Sequence, residues 1–489
     1  MKHSVKVLPY NKIIEVANGS NLLSVLRNAG YAPDAPCGGH GTCGKCIVTV
    51  NGKEQLACQT VVYADMSVAI PDAFVENIIS DKYIQNVRKS DGEDFFLVFD
   101  IGTTTIVCYL LNGKDGTEIS CASMLNPQVV YGADVISRIQ AGVDGNAEHM
   151  KQLVQDGLCR LIQEVCENTG IETKQIKRIS VVANPAMQQL FMGIDLDNLV
   201  SIPYTSAITA TEIVPAKDYV PSCMNAELLV VPDISAYVGA DALACVLVTK
   251  MYETAKNILM VDIGTNGEMV LGNSERMLAC STAAGPAFEG AKIKFGMRGA
   301  IGAIDHVWLK DGEIRCHVIG EGRAKGICGS GLIDAVAVAL DAGLINARGR
   351  IQDAQEMDGQ RVIRLCDEIY LTQADIREVQ LAKSAIASGI EIMISRFGID
   401  ISEVDEVLLA GAFGSFMNPI SACKIGILPQ SLQDKIDIIG NAAGEGAKLL
   451  VNCAEIFQYA QYLAEQIECV ELAKDNNFPR AFAKNMLFK

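Results

Sequence analysis

Apolar and polar residues alternate over 3–9 and again over 12–16, which predicts a hairpin at the start of the chain. Leu22, Leu23, Val25 and Leu26 then recur at helical spacing, so 21–29 is expected as a short helix with Ser20 as its cap and Gly30 as its stop. Residues 46–50 and 53–57 flank Asn51 and Gly52, a pair suited to a two-residue hairpin turn. Residues 66–70 read as a closing strand. Short strands around one helix suit a small β-grasp domain over 1–75. The stretch 72–92 is charged and without a period, and a linker is expected over 76–93.

At residue 94 the pattern changes. Phe95, Phe96, Leu97, Val98 and Phe99 form a continuous apolar run, the mark of a strand buried on both faces. A turn and a second apolar strand over 106–111 follow. The same strand, turn and strand recur 162 positions later, over 258–271. A further apolar strand over 407–410 leads into a turn of small residues. Residues 332–342 are expected as a helix after a Gly-rich loop, and 150–165 as an amphipathic helix that supplies only core. Trp308 is expected as a packing residue.

Composition narrows the classes. The 489 residues are 49% hydrophobic and 20% charged, which favours large packed cores over disorder. A net charge of −17 disfavours nucleic acid and a basic membrane-surface role. No apolar run is long enough to span a bilayer, and the first residues lack the apolar core of a signal peptide, so a cytoplasmic location is expected. Most of the 17 cysteines, Cys108, Cys245 and Cys328 among them, sit in apolar segments as small buried hydrophobes.

Four cysteines differ. Cys37, Cys43 and Cys46 share one loop with Gly38, Gly39, Gly41 and Gly44, and Cys58 follows. The glycines let backbone wrap an inorganic cluster and turn amides toward its sulfurs. Four thiolates are what a [2Fe-2S] centre needs. The alternative, a structural zinc site, more often pairs two Cys-x-x-Cys knuckles, and only Cys43 and Cys46 form one here. His40 is a further ligand option but is expected to face solvent. The loop resembles the plant-type ferredoxin motif, with five residues instead of four between its first two cysteines.

The repeated turns carry a second chemistry. Asp100, Gly102, Thr103, Thr104 and Thr105 in the first are matched by Asp262, Gly264, Thr265, Asn266 and Glu268 in the second. Glycine brings such a turn close to phosphate, amides and hydroxyls donate to its oxygens, and the aspartate can hold Mg²⁺ through water. Asp100 and Asp262 are therefore the catalytic candidates, orienting Mg²⁺ and the attacking water. There is no Gly-x₄-Gly-Lys-Ser/Thr loop.

The duplicated turns resemble the phosphate-1 and phosphate-2 loops of the acetate and sugar kinase, Hsp70 and actin superfamily. That resemblance implies an α/β ATPase domain over 94–475, with two lobes, the second beginning near 257, and ATP in the cleft between them. Residues 476–489 are then a C-terminal tail. Gly411 and Gly414 match the superfamily's adenosine motif. Gly329, Ser330 and Gly331 offer a helix start for phosphate or for interlobe packing. A [2Fe-2S] domain ahead of this ATPase is similar to the reductive activators of corrinoid proteins in anaerobic methyl-transfer and O-demethylase systems. The similarity rests on the Cys37 to Cys58 cluster and on segments 100–105, 131–138, 262–268, 281–302, 371–383 and 410–419. It implies ATP-dependent reduction of a partner protein's Co(II) corrinoid to Co(I), one electron passing from a low-potential donor through the cluster, and it admits a homodimer. Longer relatives carry an extra segment between the two domains. Residues 182–187 stand where relatives have Gly-Asn-Thr, and no phosphate contact is assigned to them. Two other functions suit the same parts: an ATP-driven electron injector for another low-potential enzyme, and a small-molecule kinase with a redox-sensing domain.

Overall fold

The computed structural model describes residues 2–8, 12–29, 31, 33, 39, 41, 46–70, 94–320, 322–352, 355–357, 359–414 and 416–488. Cys37, His40, Cys43 and the linker over 72–92 lie outside them. In the N-terminal domain, β1 (Lys2–Leu8) pairs with β2 (Lys12–Ala17), and β3 (Ser20–Asn21) leads into α1 (Leu22–Asn28). The hairpin β4 (Ile47–Val50) and β5 (Lys53–Leu56), then β6 (Val61–Val62) and β7 (Met66–Ala69), complete it. The sheet order is β2-β1-β7-β4-β5, with β1 and β7 parallel, and β3 pairs with β6 at one side. Asn51 and Gly52 take positive φ of 49° and 83°, as a two-residue turn matched to strand twist requires. Val5, Val7, Leu22, Leu26, Val48 and Val68 form the core. The helix cap differs from expectation. Asn21 caps α1 through the Ser24 amide, while Ser20 is taken up by the short ladder with Val62.

The rest of the chain carries two six-stranded sheets. The first contains β8 (Phe95–Ile101), β9 (Thr105–Asn112) and β10 (Glu118–Leu125), then α2 (Val135–Ala141) and α3 (Ala147–Thr169). It continues through β11 (Ile176–Ala183), α4 (Pro185–Met192), α5 (Asp197–Val200), β12 (Glu212–Pro215), β13 (Glu227–Val230) and α6 (Ala240–Thr249). Its strand order is β10-β9-β8-β11-β13-β12. The second begins with β14 (Ile258–Ile263), β15 (Gly267–Gly272) and β16 (Met277–Thr282). A small sheet of β17 (Ala303–Lys310), β18 (Glu313–Val318) and β19 (Gly326–Ile327) precedes α7 (Gly329–Asp341). Another, of β20 (Gln355–Met357), β21 (Gln360–Cys366) and β22 (Ile369–Thr372), precedes α8 (Gln373–Phe397). Then come β23 (Glu406–Ala410), α9 (Gly411–Gly414), α10 (Pro419–Ile425), β24 (Ile436–Gly440), α11 (Ala442–Asn452), α12 (Ala454–Gln466), β25 (Ile467–Cys469) and α13 (Phe478–Asn485). The order of the second large sheet is β24-β23-β14-β15-β16-β25.

Both large sheets therefore start with an antiparallel triplet whose first strand is central and pairs in parallel with a later strand. This places the β8–β9 and β14–β15 turns at corresponding positions of two lobes. Helices α6 and α11 lie between the sheets in one shared apolar cluster, where Val98, Val182 and Leu243 meet Met260, Leu408 and Leu450. Gly446 makes that crossing possible, since a Cβ there would stand 2.1 Å from the Ala244 carbonyl oxygen.

Three expectations are corrected. Trp308 is 44% exposed on β17, because it points away from the core-facing Val307 side of the hairpin. Helix α7 begins three residues before 332, so Gly329, Ser330 and Gly331 form its first turn. The stretch after 475 is a packed helix and not a loose tail: α13 lies on α8, and Phe488 is buried in the second lobe's core.

Candidate functional site

The two repeated turns face each other across a cleft of about 350 Å³. They are not equal. In the first, four residues separate the paired Ile101 and Ile106, and Gly102 donates to the Thr105 carbonyl at 2.9 Å. In the second, three residues separate Ile263 and Gly267, and Gly264 donates to the Asn266 carbonyl at 2.8 Å. Asp100 and Asp262 are the penultimate residues of their strands, which projects both into the cleft.

Of the residues expected at the nucleotide, Asp100, Gly102, Thr103, Thr104, Thr105, Asp262, Gly264, Thr265, Asn266, Glu268, Gly329, Ser330 and Gly411 line this cleft. Gly331 and Gly414 are not among its lining residues. A Cβ on Gly331 would lie 2.3 Å from the Ile304 carbonyl oxygen, so that glycine serves the packing of α7 on β17. Gly411, at φ +88°, has a different constraint: a Cβ there would stand 2.2 Å from Asp262 Oδ1. Backbone thus takes the space directly against the carboxylate.

Other lining residues had no role assigned to them from the sequence. Asn184 caps α4 by accepting from the Met187 amide and donates to Thr103 Oγ1 at 3.0 Å. Asn441 caps α11 and donates to Asp100 Oδ2 at 2.9 Å and to the Tyr109 hydroxyl at 3.1 Å. Asp241 opens α6, and Glu289 ends a short turn after β16. Both line the cleft. The Glu289 carboxylate joins the lobes: it accepts from Thr104 Oγ1 and, at 2.6 Å, from Thr265 Oγ1.

The electrostatics are those of a site that wants a cation. Burial pushes Asp100 up to about 6, partly offset by the hydrogen bond from Asn441. Burial, then the charges of Asp241 and Asp100, push Asp262 up to about 7. Asp241 is likewise pushed up to about 7, chiefly by burial. Glu268 sits opposite Asp262 in the β14–β15 ladder, and burial followed by Asp241 and Asp262 raises it strongly, although Ser281 donates to it at 3.2 Å. Carboxylates gathered this closely hold protons near neutrality unless a divalent ion replaces them.

The second candidate site lies in the N-terminal domain. Cys46 is 1% exposed at the entry to β4, and Cys58 follows β5 in the turn Ala57–Gln59. Ile47 pairs with Leu56, and the Ala57 amide donates to the Cys46 carbonyl at 2.8 Å, so the hairpin brings both cysteines to one end of the sheet. Asn21 holds the Cys58 carbonyl at 2.8 Å. Gly39 and Gly41 take φ of +98° and +75°, and a Cβ on Gly41 would stand 2.6 Å from Gln59 Nε2. Gly41 thus lies next to the Cys58 turn. A buried and a half-buried cysteine at one end of the sheet, with Gly41 beside them, fit an iron–sulfur centre.

Comparison with known proteins gives a domain match for each part of the chain. Residues 5–63 match the 2Fe-2S iron-sulfur cluster binding domain. Residues 95–254 match the RACo middle region, and 256–489 match the C-terminal domain of RACo, described as the ASKHA domain. The chain is 29% identical, over 97% of both sequences, to the corrinoid activation enzyme RamQ of Eubacterium limosum. It is 28% identical to the [Co(II) methylated amine-specific corrinoid protein] reductase of Methanosarcina barkeri, over 73% of this chain and 69% of that one. Among solved structures, a reductive activator for corrinoid, iron-sulfur protein superposes with a TM-score of 0.75 at 26% identity, covering 99% of this chain and 98% of the other. A ferredoxin domain ahead of a two-lobed ASKHA domain, matched along nearly the whole chain, means that this protein belongs to the family of reductive activators of corrinoid proteins.

Proposed function

We propose that the protein uses ATP to reduce the Co(II) corrinoid of a partner protein to Co(I). The observation that carries this reading is one chain holding both a cysteine-lined cluster site and an acidic, threonine-rich cleft between two lobes. Neither explains the other alone: downhill electron transfer needs no ATP, and a kinase needs no cluster. Uphill transfer uses both, since each ~59 mV of one-electron mismatch costs a factor of ten in the equilibrium. When bound, a [2Fe-2S] cluster supplies a one-electron centre, held by Cys37, Cys43, Cys46 and Cys58.

The chain's own groups divide the nucleotide work. Hydroxyls of Thr103, Thr104 and Thr265, with the amides of the two turns, donate to phosphate oxygens. Asp100 and Asp262 would hold Mg²⁺ and orient the attacking water, and Asn441 fixes the Asp100 carboxylate. Closure of one lobe on the other then changes the face offered to the corrinoid protein, provided the two conformations differ in affinity for it.

The test uses the Co(II) corrinoid protein, a donor too weak to reduce it alone, and visible absorbance with and without ATP. Co(I) should form only with ATP. Cys43→Ala and Asp262→Ala should both fail. The first should keep ATPase activity. The second should keep the cluster and lose ATPase activity by roughly 10²–10⁴-fold. Full Co(I) yield without ATP under that donor sinks the proposal.

A further inference from the structure

Glu289 occupies a position that a nucleotide would need. Its turn, Pro286–Glu289, is tied to the second phosphate loop, because Gly285 donates to the Thr265 carbonyl at 2.9 Å. One carboxylate oxygen accepts from Thr104 of the first lobe and the other from Thr265 of the second. The two hydroxyl oxygens stand 3.5 Å apart. Paired anionic oxygens between paired hydroxyl donors are what a phosphoryl group would also present there. A threonine hydroxyl has one proton to give. It cannot serve Glu289 and a phosphate oxygen together, and two anions in one such space repel each other.

We propose that Glu289 holds the terminal-phosphate position in the nucleotide-free protein and that the nucleotide's phosphate displaces it, so that one carboxylate ties occupancy to both phosphate loops. The inference rests on the nucleotide reading of the cleft given above.

A complement for the displaced carboxylate is present. Arg138 is fully buried in α2 and donates through Nε to the Gly132 carbonyl at 3.0 Å and through one terminal nitrogen to Met187 Sδ at 3.2 Å. Its other terminal nitrogen has no hydrogen-bond partner among the described residues. Burial pulls its pKa down to about 9, and Glu289 is foremost among the carboxylates that oppose this. Arg138 also connects to the first phosphate loop, since Met187 accepts from Asn126, which donates to the Gly102 carbonyl at 2.8 Å. Asn126, Arg138 and Glu289 thereby acquire one shared task.

The experiment is isothermal titration of the full chain, wild type and Glu289→Gln, with a non-hydrolysable ATP analogue and with adenosine. The variant should bind the analogue about tenfold more tightly, the scale of one charged hydrogen-bond competitor removed, with adenosine affinity unchanged. Unchanged or weaker analogue binding overturns the proposal, as does equal tightening for adenosine. A wild type that binds no analogue overturns the cleft reading itself. Hydrogen exchange on the wild type gives an answer even when the variant does not fold. The analogue should protect 102–105 and 264–266 while the 286–289 turn exchanges faster, and protection of that turn would count against displacement.

Discussion

Asp241 has no motif around it, yet its charge helps to raise both Asp262 and Glu268. Its folded pKa, like those of Asp100 and Asp262, lies above the unfolded value. Between about 4 and 7 the folded protein therefore binds more protons than the unfolded chain, and these groups stabilise less as pH rises through that window. Asp241→Asn removes one such group and relieves its neighbours. The nucleotide-free variant should match wild type in melting temperature near pH 4 and exceed it increasingly up to about pH 7–8. A constant offset across that range would refute the assignment. Stabilisation by Mg²⁺ should follow the opposite course in wild type, growing with pH as protons leave, and should be smaller in the variant. The aspartates and threonines of the repeated turns were readable because a turn written twice has little other explanation. The roles of Asp241, Asn184, Asn441 and Glu289 were not: the first three are lone polar residues that meet the site only through the folding of strands far apart in sequence, and the glycines around Glu289 mark its segment as site-lining without singling out the carboxylate. Three of them sit at helix starts, where the bland reading of a capping residue is also true of Asn184 and Asn441.

At the scale of elements, continuous apolar runs were the surest guide, since β8, β14 and β23 are buried on both faces. The C-terminal helix was the least legible. Residues 475–477 are polar and suggest that structure has ended, while the groups that anchor α13 lie about a hundred residues earlier on α8. Lys383 is 1% exposed and donates to the carbonyls of Asn485 and Leu487 at 2.6 and 2.7 Å, with the Phe488 ring 5.3 Å from its ammonium. Gln380 adds a bond to the Met486 carbonyl at 2.6 Å. A buried ammonium stripped of such acceptors is destabilising by roughly 3–5 kcal/mol. Deleting 478–489 should therefore cost at least that much by urea denaturation. Lys383→Met should destabilise the full chain but stabilise the truncated one. The same sign in both backgrounds would show that the lysine is not what holds the helix.

At the scale of the molecule, the lobes share an apolar cluster on one side and face each other across the acidic cleft on the other. Such an arrangement can hinge, and it makes nucleotide and partner thermodynamically linked. If a non-hydrolysable ATP analogue changes the affinity for the Co(II) corrinoid protein by some factor, that protein must change the analogue's affinity by the same factor. Titrations in both orders should agree, and unequal factors would mean that the two ligands do not act on one conformational equilibrium. The shared cluster also bears on synthesis. The first sheet's strands are complete by Val230, but α11, which covers its inner face, spans Ala442–Asn452. On a ribosome, about 200 further residues must emerge before that face is sealed, on the order of 10–40 s at ordinary elongation rates. Through that interval the nascent first lobe displays Val98 and Val182 to whatever surrounds it. A cell making this protein therefore has to shelter a half-finished chain, and a host that elongates faster or lacks holding chaperones should yield more aggregate from the same message.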